Sequence, residues 1–373
     1  MEQPRHLRGD RYRARRRQAV GRNQQGRHRA DHSADKERSS GLHFHGGTAA
    51  RYAGRTRRRI AGLRFGLTIL GSNGAVPSAS RYASGHLLHS ESTDVLVDCG
   101  EGTQLRLQAA GASVGRISLI LISHLHGDHY FGLPGLLTSL ALSGRTAPLR
   151  ILSPPGLRDR LAPLLELDRY GMPFPLEFIE HAADDMTLVA EVGELEVYAF
   201  PLRHRIVTNG YLLREKPRPA TILKDMIEAH SIPYAAIPTI KQGSGYTTAE
   251  GRFIPHGELT APAPPPRSYA YCSDTLYFPE LSNYVQGVDL LYHEATFLHD
   301  MAVEAAEKGH ATAHQAALVA RNADVGQLIL GHFSARYRNV DEHEREARAV
   351  FPASTAARDL YRFTVPFTER NSE

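Results

Sequence analysis

Within the six residues His124-Leu125-His126-Gly127-Asp128-His129 the chain places four side chains able to bind a metal ion. Imidazole nitrogen and carboxylate oxygen are donors that suit Zn²⁺ and similar divalent cations. The run follows the apolar stretch Ile117-Ser118-Leu119-Ile120-Leu121-Ile122 and Ser123, so a buried strand delivers polar side chains that packing does not require. At spacings i, i+2, i+4 and i+5, with Gly127 permitting a tight turn, His124 and His126 can reach one ion while Asp128 and His129 turn toward a second.

Four other apolar runs end in a residue of the same kind. Residues 197–202 lead to His204, 269–273 to Asp274, 290–292 to His293 and Glu294, and 328–331 to His332. Taken singly, a strand-end histidine is commonly a hydrogen-bonded structural residue, and Asp274-Thr275 equally suits a helix cap. In layered α/β folds, however, strand ends on one edge meet in one crevice. Together with the six-residue cluster they supply two ions: His124, His126 and His204 for one, Asp128, His129 and His332 for the other, and Asp274 between them. Two metals some 3.5 to 4 Å apart can share a hydroxide nucleophile and clamp the attacking and leaving oxygens of phosphoryl transfer.

The elements that must position these groups begin near Leu63. Residues 67–70 form a short apolar strand ahead of the turn Gly71-Ser72-Asn73-Gly74, residues 94–98 another strand, and the turn Gly100-Glu101-Gly102 feeds a helix over 103–110. An Ala-rich helix is expected over 313–323, capped by Thr312, with His314 on its surface. Residues 215–267 mix a short helical piece with Pro219, Pro233, Pro238 and Pro264-Pro265-Pro266, and are expected to project as an insertion.

Charge divides the chain. All 373 residues carry 44 Lys plus Arg against 40 Asp plus Glu, a net +4 and a pI near 9.0. Residues 1–62 hold 17 of those bases and 5 of the acids, a net +12, leaving 27 against 35, a net −8, in 63–373. The first segment has few large apolar residues and is expected to be disordered. Its basic runs would serve as an RNA-binding arm or, more simply, lie outside the working protein through an upstream start. No apolar run reaches the 18 residues a membrane span needs. Two cysteines, Cys99 and Cys272, build no disulfide framework, and with no signal peptide the expected compartment is the cytoplasm.

Seven phrases, in this order, carry a resemblance. They are Leu70-Gly71-Ser72 to Pro77, Asp98-Cys99-Gly100-Glu101-Gly102-Thr103-Gln104, Phe131-Gly132-Leu133-Pro134-Gly135-Leu136-Leu137, Ser273-Asp274-Thr275, His293-Glu294-Ala295-Thr296-Phe297, His310-Ala311-Thr312-Ala313 and Leu330-Gly331-His332-Phe333-Ser334-Ala335-Arg336-Tyr337. With the His124–His129 cluster, the body from about Leu67 resembles the metallo-β-lactamase superfamily and, within it, the ribonuclease Z family of tRNA 3′-processing endonucleases. The resemblance implies an αββα sandwich of two face-to-face sheets with a projecting arm insertion, a ribonuclease Z domain over 63–373, two Zn²⁺ per subunit on the seven ligands named, precursor tRNA as substrate, and a homodimer. It implies that Asp128 also accepts a proton, that His310 contacts the scissile phosphate or protonates the leaving 3′ oxygen, and that His293 and Glu294 orient ligands. Arg81, the one charge in the loop 77–84 where the family senses the tRNA 3′ end, is a candidate substrate contact.

The family commonly grips tRNA with an arm bearing a Gly-Pro motif. Here Ile232-Pro233-Tyr234-Ala235-Ala236-Ile237-Pro238 stands in that place, with Lys216, Arg218, Lys224, Lys241, Arg252 and Arg267 as the available cations. Two alternatives remain open on the sequence: a hydrolase of another phosphodiester or sulfate ester on the same fold, and a non-catalytic RNA-binding protein. Filled ligand positions argue against the second.

Overall fold

The computed structural model describes residues 65–365 apart from Pro77 and Ala79. The basic segment 1–62 and Pro77 of the loop 77–84 therefore lie outside the described residues.

Two seven-stranded mixed sheets dominate. The first runs in the spatial order Arg362–Thr364, Gly66–Gly71, Gly85–His89, Asp94–Val97, Ile117–Leu121, Leu149–Ser153 and Leu176–Glu180, the last four strands parallel. The second runs Ser354–Ala356, Gln327–Gly331, Leu290–Glu294, Ser268–Cys272, Thr208–Glu215, Leu195–Leu202 and Thr187–Val192, the first four parallel.

Alternation along the strands builds the layers. Val95, Val97, Leu119 and Leu121 join Val197, Ala199, Tyr211 and Tyr271 in one apolar cluster between the sheets. Leu96 and Ile120, one residue out of phase, join Leu133, Leu136, Leu137 and Leu140 of the helix Leu133–Leu142 on the outer face. Those four leucines stand at i, i+3, i+4 and i+7, one stripe of a helix. The helix Ala313–Asn322 repeats the device on the second sheet with Ala313, Ala316, Ala317 and Ala320. Thr312 starts it with a capping box, its Oγ1 accepting from Gln315 N at 3.3 Å while Gln315 Oε1 accepts from Thr312 N at 3.0 Å. Helix, two sheets and helix form the αββα sandwich.

Strand direction decides where chemistry collects. The strands Asp94–Val97 and Ile117–Leu121 are parallel, as are Ser268–Cys272, Leu290–Glu294 and Gln327–Gly331. Leu195–Leu202 runs the same way as Ser268–Cys272, because each is antiparallel to Thr208–Glu215 between them. Within each sheet the carboxyl ends therefore share an edge.

The insertion leaves the second sheet between Thr208–Glu215 and Ser268–Cys272. It has two two-stranded ribbons, short helices, and an apolar centre of its own in Ile232, Ile240, Ile254 and Leu259. Glu215 and Arg267 close its root: Arg267 Nε and NH2 donate to the Glu215 carboxylate at 2.8 and 2.7 Å, and Arg267 N donates to it at 3.0 Å. Three of the six cations named above are engaged at this root, since Lys216 pairs with Glu191 and Arg218 with Glu91 and Glu215. Lys224, Lys241 and Arg252 stand in no ion pair among the described residues.

Candidate metal centre

Two groups of donor atoms converge at the strand ends. In the first, His126 Nδ1 lies 2.9 Å from His124 Nε2 and 3.3 Å from His204 Nε2, and Asp274 Oδ2 lies 3.6 and 3.8 Å from the latter two. In the second, His129 Nε2 lies 3.3 Å from His332 Nε2, both lie 3.4 Å from Asp128 Oδ2, and Asp274 Oδ1 stands 3.4 and 3.1 Å from them. Asp274 thus offers one oxygen to each group. Bonds of about 2.0–2.1 Å at tetrahedral angles place neighbouring ligand atoms roughly 3.3 Å apart, so both groups are spaced as ligands of an ion.

Second ring nitrogens fix which face each imidazole presents. His129 Nδ1 donates to Asp98 Oδ2 at 2.7 Å, and His204 Nδ1 to the Gly309 carbonyl at 2.7 Å. His124 Nδ1 donates to Ser123 Oγ at 3.1 Å, whose own proton goes to Asp98 Oδ2. His332 Nδ1 donates to Thr296 Oγ1 at 2.9 Å, which passes its proton to Glu294 Oε2 at 2.6 Å. Four Nε2 lone pairs are therefore aimed at one another and at two carboxylates, an arrangement that calls for cations. Burial lowers the pKa of His124, His126 and His204, keeping them neutral as ligands must be. At His129 burial acts the same way, but Asp128, Asp274 and Asp98 outweigh it and raise the pKa. That negative field is the one a divalent cation requires.

Backbone geometry serves the same end. Asp98 and His332 hold φ of +55° and +56°, a conformation that costs a non-glycine residue roughly 1–2 kcal/mol and here aims both side chains at the centre. A Cβ on Gly74 would lie 2.7 Å from the His332 ring, so only glycine lets that loop pass.

His310 stands beside both groups, its ring centre 5.2 Å from that of His204 and 5.4 Å from that of His332. Its Nδ1 lies 2.9 Å from Glu294 Oε1. Glu294 is fully buried and also accepts from Thr275 N at 2.9 Å and Thr296 N at 3.1 Å. Burial opposes a charge on His310, yet Glu294 prevails and its pKa is pushed up to about 9. A cleft of about 530 Å³ opens here, lined by Asp128, His204, Asp274, His310 and His332 and flanked by the 63% exposed Phe131.

Two expectations from the sequence meet a different structure, and one open alternative falls away. His293 does not face the ligands: next to Glu294 on a strand it points to the opposite side, where its Nδ1 meets the Glu294 carbonyl and its Nε2 has no partner among the described residues. Arg81 is 9% exposed and directs its donors inward, Nε to Asn73 Oδ1 at 2.8 Å and NH2 to the Tyr337 carbonyl at 2.7 Å, so it ties its loop to the segment after His332. Asp274 caps no helix; the next one begins at Leu281. Conversely, Asp98 holds His129, Ser123 and, at 2.6 Å, the Tyr271 hydroxyl. Its place at the end of the 94–98 strand was the available signal.

Comparison with known proteins agrees with this geometry. Residues 65–165 match the family described as Anti-Pycsar protein Apyc1. A protein of Bacteroides thetaiotaomicron named ribonuclease Z is 42% identical over 302 residues, covering 81% of this chain and 96% of its own length. One of Porphyromonas gingivalis with the same name is 43% identical over 298 residues, covering 80% and 98%. The crystal structure of human tRNase Z, short form, superposes with a TM-score of 0.58 at 28% identity, covering 81% of this chain and 99% of that one.

Proposed function

This chain belongs to the ribonuclease Z family, and on that footing we propose that it is a zinc-dependent endoribonuclease removing the 3′ trailer from precursor tRNA. It cuts the phosphodiester after the discriminator nucleotide, leaving a 3′-OH on the tRNA and a 5′-phosphate on the trailer. The observation that carries this reading is the division of Asp274 between two sets of imidazoles with His310 beside them.

His124, His126 and His204 would hold one ion, Asp128, His129 and His332 the other, with Asp274 shared. When bound, two zinc ions supply Lewis acidity that lowers the pKa of water and offsets charge on the phosphoryl oxygens. The protein's own groups handle the protons. Burial works against ionised Asp128, but His129 and His332 outweigh it, hold the carboxyl well below the usual range and so keep it ionised; we assign it the proton of the attacking water, whose acidity the bound metal would raise. Ala75 N donates to the same carboxylate at 2.7 Å and orients it. As the bond from phosphorus to O3′ breaks, its electron pair stays on oxygen, and protonated His310 donates to it from Nε2 while Glu294 holds Nδ1.

Two zinc ions per subunit, assembly as a homodimer and residence in the cytoplasm complete the proposal. The donor spacing supports the first, and no helix among the described residues is long and apolar enough to cross a membrane. The insertion, with Lys224, Lys241 and Arg252, is the region we assign to phosphate contacts on the tRNA body.

Purified zinc-loaded protein incubated with a trailer-bearing precursor tRNA is expected to release a trailer with a 5′-phosphate. Turnover of a chromogenic phosphodiester without cleavage of the precursor would favour a hydrolase of other phosphodiesters.

A further inference from the structure

A second cavity of about 290 Å³ adjoins the metal cleft and shares Ala75, Lys308, His310 and His332 with it. Its remaining walls include Val76, Phe297, Ser334 and Arg336. The buried Phe297 ring carries the Arg336 guanidinium 5.0 Å from its centre and the Lys308 ammonium 5.6 Å from it. Glu304 holds both cations, meeting Arg336 NH2 at 2.7 Å and Lys308 through the same carboxylate oxygen. The outcome is a guanidinium held in place by a carboxylate, beside the 62% exposed Val76.

We propose that this cavity seats the nucleoside whose 3′ oxygen departs, with its base against Arg336 and Val76. The inference rests on the reading of the metal centre as a nuclease site. In-line displacement puts the attacking and leaving oxygens on opposite sides of phosphorus. Asp128, the acceptor for the attacking water, lines only the cleft, whereas His310, the donor to the leaving oxygen, lines both cavities. The ribose bearing O3′ therefore lies on the His310 side, where the second cavity begins. A cavity of this size suits one nucleoside rather than several. Guanidinium planes are platforms for unpaired bases, and because Glu304 accepts from both NH1 and NH2 of Arg336 at 3.3 and 2.7 Å, that edge of the guanidinium is occupied and its face, suited to stacking rather than to gripping a phosphate, is what a ligand meets.

Adenosine 3′-monophosphate reproduces the departing nucleoside and its phosphate, and ribose 3-phosphate is the same ligand without a base. Titration calorimetry on the zinc-loaded full chain is expected to give about tenfold tighter binding of the nucleotide, the scale of one base stacked on a side chain. Arg336→Ala should bring that ratio close to one, Arg336→Lys should bring most of the same loss, and zinc content and melting temperature should stay at wild-type values in both. Equal affinity of wild type for the two ligands, or a ratio unchanged in both variants, overturns the proposal. So does a variant that weakens both ligands alike, which would mark Arg336 as a phosphate contact. If wild type leaves precursor tRNA intact while the ratio behaves as expected, the tRNA assignment falls and the subsite stands. If wild type cleaves the precursor while its ratio is one, the subsite falls and the tRNA assignment stands.

Discussion

The metal edge of the sandwich and the insertion at 216–266 are built on opposite plans. At the metal edge four of the five ligand histidines are held through their second ring nitrogen, three of them by a residue far off in sequence: Asp98 for His129, Gly309 for His204 and Thr296 for His332. The residues carrying them close a core that runs continuously between two sheets. The insertion has strands of two residues, a centre of four buried aliphatic side chains, and one buried ion pair at its root. Chemistry at phosphorus needs ligand atoms held within about 0.5 Å. A surface that grips a large RNA through phosphates tolerates local opening, and packing is concentrated accordingly at the metal edge.

Substitutions at the metal edge should have the largest effects. Asp274→Ala removes an oxygen from both donor groups, so cleavage should disappear and bound zinc, measured by atomic absorption, should fall; a variant that keeps two ions would refute the sharing of Asp274. His310→Ala should lower kcat by about 10²–10⁴-fold, the usual worth of a positioned proton donor, with zinc retained. Loss of zinc in that variant would place His310 among the ligands instead. Asp98→Asn keeps the shape but presents an amide to His129, and zinc affinity should weaken by roughly 10–100-fold; titration against a chelator reads this directly.

Smaller effects separate the two regions by stability. Leu259→Ala in the insertion should cost about 2–5 kcal/mol, confined to that region. Hydrogen exchange should then speed up within 216–266 while Ile117–Leu121 and Gln327–Gly331 stay protected. Equal loss in both would mean that the insertion and sandwich open as one unit. The sandwich has its own weak point at His343, which is fully buried without a hydrogen-bond partner for either ring nitrogen among the described residues. Burial, with Arg81 adding to it, lowers its pKa to about 4, against about 6.5 in an unfolded chain. Between these values the unfolded state binds the extra proton, so stability falls as pH drops from about 6.5 to 4, by about 3 kcal/mol in all. Melting curves of wild type against His343→Phe across this window test it: the variant should show a shallower decline, and parallel curves would exonerate His343.

Much of the metal edge was legible because donors sit where apolar runs stop. Ile117–Leu121 ends before His124, Ser268–Cys272 before Asp274 and Gln327–Gly331 before His332, and each stop is visible in hydrophobicity alone. The orienting residues were not legible in this way. Asp98 reads as an ordinary strand-end acid, since its partners are distant in sequence: Ser123 and His129 follow the strand Ile117–Leu121, and Tyr271 lies on Ser268–Cys272 of the other sheet. His293 and Glu294 share one phrase, yet the pleat sends them to opposite faces. Arg81 looked available to substrate because its loop holds no other charge, whereas the carbonyls that absorb it follow His332, more than 250 residues away.

The sequence by itself determined the donor chemistry, the strands that end in it and the place of the insertion, because residue type and local periodicity carry that information. Only the tertiary structure decided which oxygen of Asp274 meets which set of histidines, that Asp98 and Glu294 hold His129 and His310, and that a second cavity opens behind His310. These are relations between residues far apart in sequence, within one sheet and across the two, and they exist only once apolar burial has brought the carboxyl ends of the strands to one edge.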